Sequence, residues 1–292
     1  MSATLNASAA PAAPRRFRPA RVLRRHPVAA LGGLLLLLLV LSALGAPWIA
    51  THDPIEMNVI DRMLPPGGDY LFGTDAYGRD LFSRVVYGGR VSLLIGLAVA
   101  LASTVLGLLL GVVAGYFRLA DAIIMRVMDG LMAIPGILLA IALMSLTRAS
   151  LWVVVIAITI PEIPRVVRLV RAVVLSVREQ TYIQAAAAIG TRFPRLMRRH
   201  ILPNTFAPLI VQATYICASA VLTESYLSFL GVGTPPEIPS WGNIIAEGRL
   251  YVQLAFWNIL FPGIALAIMV FSINVLGDGL RDALDPRLAR RL

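Results

Sequence analysis

Six apolar stretches, each long enough to cross a lipid bilayer, constrain this chain more than any other feature. They fall at 28–50, 91–117, 124–146, 151–175, 207–230 and 254–276. A hydrocarbon core of roughly 30 Å takes about 20 helical residues. Inside it, only a helix or a closed barrel satisfies its own backbone polar groups. Of the 292 residues, 58% are hydrophobic and 14% charged, too little polar surface for a soluble domain of this size. The expected fold is therefore all-α: a polytopic membrane protein with six transmembrane helices.

The net charge of +10 does not point to nucleic acid. All 26 basic residues are arginine, and their placement is that of a membrane protein with basic cytoplasmic loops. With both termini cytoplasmic, 20 arginines fall inside and six (Arg62, Arg79, Arg84, Arg90, Arg148, Arg249) outside. The fourth stretch is the weak one, because Arg165, Arg168 and Arg171 recur on one helical face opposite Val166, Val167 and Val170. Omitting it would move the arginine-dense segment outside and invert the bias, so it is kept as a helix whose last turns emerge amphipathically. The single Cys217 excludes a disulfide framework.

This gives a basic cytoplasmic tail at 1–27 and a retained first helix with an external loop at 28–90. A membrane core follows at 91–280 and a cytoplasmic tail at 281–292. The external loop carries prolines, glycines and six acidic residues, with a short interfacial helix expected over 82–87. Pro135 with Gly136, and Pro262 with Gly263, read as kink sites. Acidic residues in spans are costly. Asp129 and Glu162 are expected to pair with Arg126 or Arg165. Glu224 either lines a translocation pathway or pairs with a polar group on a neighbouring helix. Trp241 is expected to anchor at the headgroup boundary.

The segment 179–204 is the most informative. Residues 180–189 are alanine-rich and helix-forming, and Gly190 suits a left-handed helix terminus. Pro194 suits the first turn of a second short helix, which Pro203 would end. Ala185 to Ala188 present a narrow surface without bulky side chains, suited to another protein's groove. On physical grounds this is either a docking hairpin or an ordinary interfacial connection.

The same residues resemble a known family. Binding-protein-dependent ABC permeases carry, at this position, Glu-Ala-Ala, three residues, Gly, and a Leu-Pro whose proline stands thirteen residues on. Gln184-Ala185-Ala186, Gly190 and Leu202-Pro203 match that spacing. Gln184 replaces the usual glutamate, keeping a hydrogen-bonding end and losing the charge. Other pieces resemble the second, C-type membrane subunit of the dipeptide/oligopeptide/nickel branch: Phe72-Gly73-Thr74-Asp75, Gly78-Arg79-Asp80, Leu227-Ser228-Phe229-Leu230-Gly231, Pro239-Ser240-Trp241-Gly242 and Gly277-Asp278-Gly279-Leu280-Arg281-Asp282 with Leu284-Asp285-Pro286-Arg287. Together they cover roughly residues 28–290.

The resemblance implies a type I ABC importer permease fold in the bacterial inner membrane. It implies a heterodimer with a sister permease, two ATP-binding cassette subunits gripping 179–204, and an extracytoplasmic solute-binding protein. The cargo it implies is a di- or oligopeptide, or a related small solute such as a nickel chelate. No cofactor or catalytic residue is expected in this chain. A P-loop needs a lysine, and none is present, so ATP would be bound by partner subunits. An ion-coupled secondary transporter or a channel subunit is the alternative, the arginines of the fourth stretch being its one supporting feature.

Overall fold

A computed structural model of the chain describes residues 27–148 and 150–284. The basic segment 1–26 and the last residues from 285 on, with the arginines expected there, lie outside the described residues. Helix α1 (Pro27–Leu44) is apolar on all sides, and Leu34, Leu37, Leu38 and Leu41 are each more than half exposed. Such a helix belongs in lipid. A single turn, α2 (Ala46–Ile49), follows, and the chain then leaves helix until residue 81.

Helix α3 (Leu81–Tyr116) is 36 residues long and starts ten residues before the apolar run suggests. The expected interfacial helix at 82–87 is in fact its first two turns. Asp80 caps it, accepting from Ser83 N at 2.9 Å. The charge of Arg84, 1% exposed, is met by Glu247 and Asp75, so an arginine read as part of the loop is buried in the first turn of this long helix. At 1.5 Å per residue the helix spans about 54 Å, more than a hydrocarbon core of roughly 30 Å requires.

The third stretch is not one helix. It divides into α4 (Arg118–Met132) and α5 (Gly136–Ser145), bent by 87° at the break. Pro135 is extended there, so the expected kink is a near right angle. Helix α6 (Leu151–Arg178), capped by Ser150, runs unbroken through Pro161 and Pro164. Next come α7 (Thr181–Ala188) and α8 (Phe193–Leu196). A π turn (Met197–Ile201) joins α8 to α9 (Leu202–Phe229). The short helix α10 (Trp241–Gly248) leads through one 3₁₀ turn to α11 (Trp257–Leu284). Pro262 lies inside α11 without interrupting it.

By length and apolar composition, four helical stretches in the described residues can cross a membrane: 27–44, 81–116, 194–229 and 257–283. The bent pair α4–α5 makes a fifth if it counts as one span. Helix α6 has the length, but it carries Glu162 near its middle and four arginines in its second half.

Close contacts give the helix directions. A Cβ on Gly107, Gly111 or Gly115 of α3 would lie 2.4, 2.7 and 2.7 Å from the Cβ of Val166, Val170 and Val174 of α6. Both series ascend, so the two helices run parallel and the intervening α4–α5 must carry the chain back across the bundle. Gly32 meets Val275, and Gly279 meets Ala29, so α1 and α11 are antiparallel and the two ends of the described chain share a face.

Candidate functional site

The hairpin at 179–204 is built as the residues dictate. Arg178, the last residue of α6, donates to the carbonyls of Gly115 and Tyr116 at 3.1 and 2.9 Å. A cation on the free carbonyls of a helix C-terminus is well placed, and the contact ties the start of the hairpin to the end of α3. Gly190 has φ +80. Its N–H bonds to Ala187 O, and Thr191 N bonds to Ala186 O, the paired bonds that close a helix through a left-handed residue. The expected turn is present.

The hairpin is anchored on one side only. Ile183, Leu196, Met197 and Ile201 are buried in the main core, with Ala186 and Leu202 half-buried against it. Gln184, Ala185, Ala187, Ala188, Gly190 and Pro203 are exposed. Tyr182 and His200 bring the two arms together, ring centroids 6.0 Å apart. The result is a rigid, small-residue surface held on an apolar base.

Pro203 does not end the second helix. The π turn carries α8 directly into α9, with Leu202 N bonded to Met197 O. The longer turn moves the carbonyls a proline ring would otherwise strike, and Asn204 Nδ2 donates to His200 O at 2.6 Å. The sequence shows the proline but not the widened turn that absorbs it.

The arginines of α6 are neutralised one by one. Arg171 makes a two-pronged contact with Asp121 of α4 at 2.5 and 2.7 Å. Arg168 meets Asp129 at 2.6 Å and Arg165 meets Glu162 at 3.2 Å. Glu162 pairs as expected; Asp129 takes Arg168, on the facing helix α6, rather than Arg126 of its own helix. Arg168 and Arg171 thereby clamp α6 to α4.

Glu224 is fully buried, at 0% exposure, and so faces no pathway surface of this chain. Its Oε1 accepts from Ser228, Ser240 and Thr234 at 2.8, 2.8 and 3.2 Å. These bonds knot the end of α9 to the following loop and the start of α10. Within this chain its partners are polar groups of its own helix and of the loop that follows, rather than of a neighbouring span. Trp241 is likewise no headgroup anchor. It is 2% exposed, donates through Nε1 to Val85 O at 2.8 Å, and packs against Gly88 and Gly89 of α3.

Sequence reasoning missed a buried charge cluster at the start of α3. Arg79 and Arg84, 4% and 1% exposed, both contact Glu247 (2.5 and 3.1 Å), and Arg79 contacts Asp75 at 2.6 Å. The cluster fastens the external loop to α10. Its one signal, two arginines set among acids in a polar segment, does not disclose a partner more than 160 positions away.

Among the described residues, an all-helical bundle with several apolar spans, a structured layer at one end and a one-sided helical hairpin at the other defines a multi-pass membrane protein. The family model for "Binding-protein-dependent transport system inner membrane component" matches residues 69–290, and that for the "N-terminal TM domain of oligopeptide transport permease C" matches 17–66. The chain belongs to this family of transport-system inner membrane components, and it is a permease subunit of an ABC importer. It is 53% identical over 271 residues to a probable peptide ABC transporter permease of Sinorhizobium fredii, covering 93% of each chain. It is 45% identical to a di/tripeptide transport system permease of Pseudomonas aeruginosa (90% of this chain, 89% of that one). A probable D,D-dipeptide transport system permease of Escherichia coli is 41% identical over 93% of each. Among solved structures, an inward-facing MetNI methionine ABC transporter matches with TM-score 0.60 at 21% identity, covering 70% of this chain and 98% of that one, a likeness of fold.

Proposed function

We propose that this permease imports di- or oligopeptides. In this reading it pairs with one sister permease to form the pathway and receives cargo from an extracytoplasmic binding protein. Two ATPase subunits grip residues 179–204 and drive it, and the chain itself hydrolyses nothing. The observation that carries the coupling role is the asymmetry of the hairpin. Four buried apolar anchors make it rigid, while Gln184, Ala185 and Gly190 stay open to a partner. A rigid lever fixed to a bundle transmits a partner's movement. The peptide assignment is supported by the similarity to relatives named for peptide transport; a nickel chelate or another small solute is the competing cargo.

In the topology proposed here, the hairpin and both chain ends are cytoplasmic, and α6 is a span in a six-helix count. The parallel packing of α3 and α6 supports that count. The test is reconstitution in liposomes with the sister permease, two ATPase subunits and the binding protein. ATP-dependent accumulation of a labelled dipeptide is expected, with none from the permease alone. Uptake by the lone chain driven by membrane potential would instead indicate a secondary transporter or a channel.

A further inference from the structure

The arginines of α6 are neutralised within the chain, whereas those crowded on the second arm of the hairpin stay open. Arg165, Arg168, Arg171 and Arg178 on α6 each meet a carboxylate or a carbonyl. Arg192, just before α8, and Arg195, Arg198 and Arg199, on α8 and the π turn, are all exposed, and none of the four guanidinium groups has a partner among the described residues. Arg195, Arg198 and Arg199 stand at i, i+3 and i+4, which places them on one helical face. Leu196, Met197 and Ile201 of the same stretch are buried. Four like charges within about 10 Å of helix repel one another and call for an anion.

Their position says which anion. The helix that carries Arg195, Arg198 and Arg199 is the one that continues into the membrane: residues 194–229 form a single apolar span. Phe206 and Ile210, 52% and 44% exposed, follow on it, apolar groups suited to acyl chains. Arg198 and Arg199 lie about 12–14 Å along the axis before residue 207, where the apolar run begins. An extended arginine side chain covers much of that distance and snorkels to the phosphate layer. The small-residue surface proposed for the ATPase is on α7, across the Gly190 turn. Guanidinium groups pair with phosphate through two parallel hydrogen bonds.

We propose that Arg195, Arg198 and Arg199, with Arg192 at the edge, form a binding site for the phosphate headgroups of anionic phospholipids. The bound lipid holds the base of the hairpin at the membrane surface. This goes beyond the transport reading but rests on its topology, and it confines the ATPase contact to the small-residue face of α7. Each arginine beside an anionic leaflet is worth about fivefold in affinity, and the three together on the order of a hundredfold.

The test uses the purified full chain in detergent, titrated with dioleoylphosphatidylglycerol or dioleoylphosphatidylcholine, with bound lipid counted by native mass spectrometry. The wild type is expected to retain phosphatidylglycerol in preference to phosphatidylcholine. The triple variant R195Q/R198Q/R199Q should lose that preference with an unchanged circular dichroism melt, and the charge control R118Q/R126Q should keep it. Three results would overturn the proposal: no headgroup preference in the wild type, equal loss in the triple variant and the control, or a triple variant that keeps its lipid and instead fails to co-purify with the ATPase subunits. The last result would assign the arginines to a protein surface.

Discussion

Gly190 is the residue on which the hairpin turns. Its surroundings are open: a Cβ added there would meet no heavy atom within 4 Å. Crowding therefore does not demand glycine; the φ of +80 does. A β-branched residue tolerates that region poorly, whereas asparagine is accepted there. Gly190→Val is expected to uncouple ATP hydrolysis from binding-protein stimulation in the reconstituted complex, while Gly190→Asn stays close to wild type. Equal behaviour of the two variants would remove the turn from the mechanism. Glu224 gives a second test at this scale. Glu224→Leu strands the three hydroxyls that now donate to it, at about 1–3 kcal/mol for each buried group left unpaired. Glu224→Gln retains an acceptor oxygen. The leucine variant should therefore melt well below the glutamine variant in a thermal unfolding assay. The half-exposed Arg168–Asp129 pair, by contrast, contributes no more than about 1 kcal/mol, and its loss should barely register.

Among the elements, the contact between α3 and α6 is the tightest. Gly107, Gly111 and Gly115 let the two backbones approach until valine side chains fill the place of the missing Cβ atoms. Small residues at such contacts are what allow helices to pack in lipid, where no hydrophobic force drives them together. Gly111→Leu forces carbon into space within 2.7 Å of Val170 Cβ and 2.9 Å of Val167 O, an overpacking cost of about 1–3 kcal/mol. Its melting temperature should fall, whereas Gly130→Ala on α4, with nothing within 4 Å, should be neutral or slightly stabilising from helix propensity. The glycines at four-residue intervals are plain in the sequence. Their valine partners are not, because a parallel contact joins positions nearly sixty apart.

For the whole molecule, the shared face of the α1 and α11 ends predicts a definite accessibility pattern. In a background lacking Cys217, a cysteine at Asp69 should react with an impermeant thiol reagent in intact cells, and one at Thr191 should not. The reverse pattern would invert the topology. The result bears on α6 as well: Asp69 and Thr191 lie on opposite sides only if the connection through α4, α5 and α6 crosses the membrane an even number of times between α3 and the hairpin.

The features legible in the chain before folding were local or periodic: the apolar runs, the arginine bias, the Gly190 turn and the spacing from Gln184 to Pro203. Each depends on neighbouring residues, through hydropathy, φ preference or helical repeat. The tertiary structure decided what depends on distant partners. Glu247 makes Arg84 an interior residue and so lengthens α3. Three hydroxyls from α9 and the loop beyond it draw Glu224 into the bundle. Asp121 and Asp129 turn an arginine ladder into a clamp. A charge reads as exposed until its counter-ion is placed. Here the counter-ions for these charges come from other helices, or from a helix and loop far along the chain, and only folding brings them together.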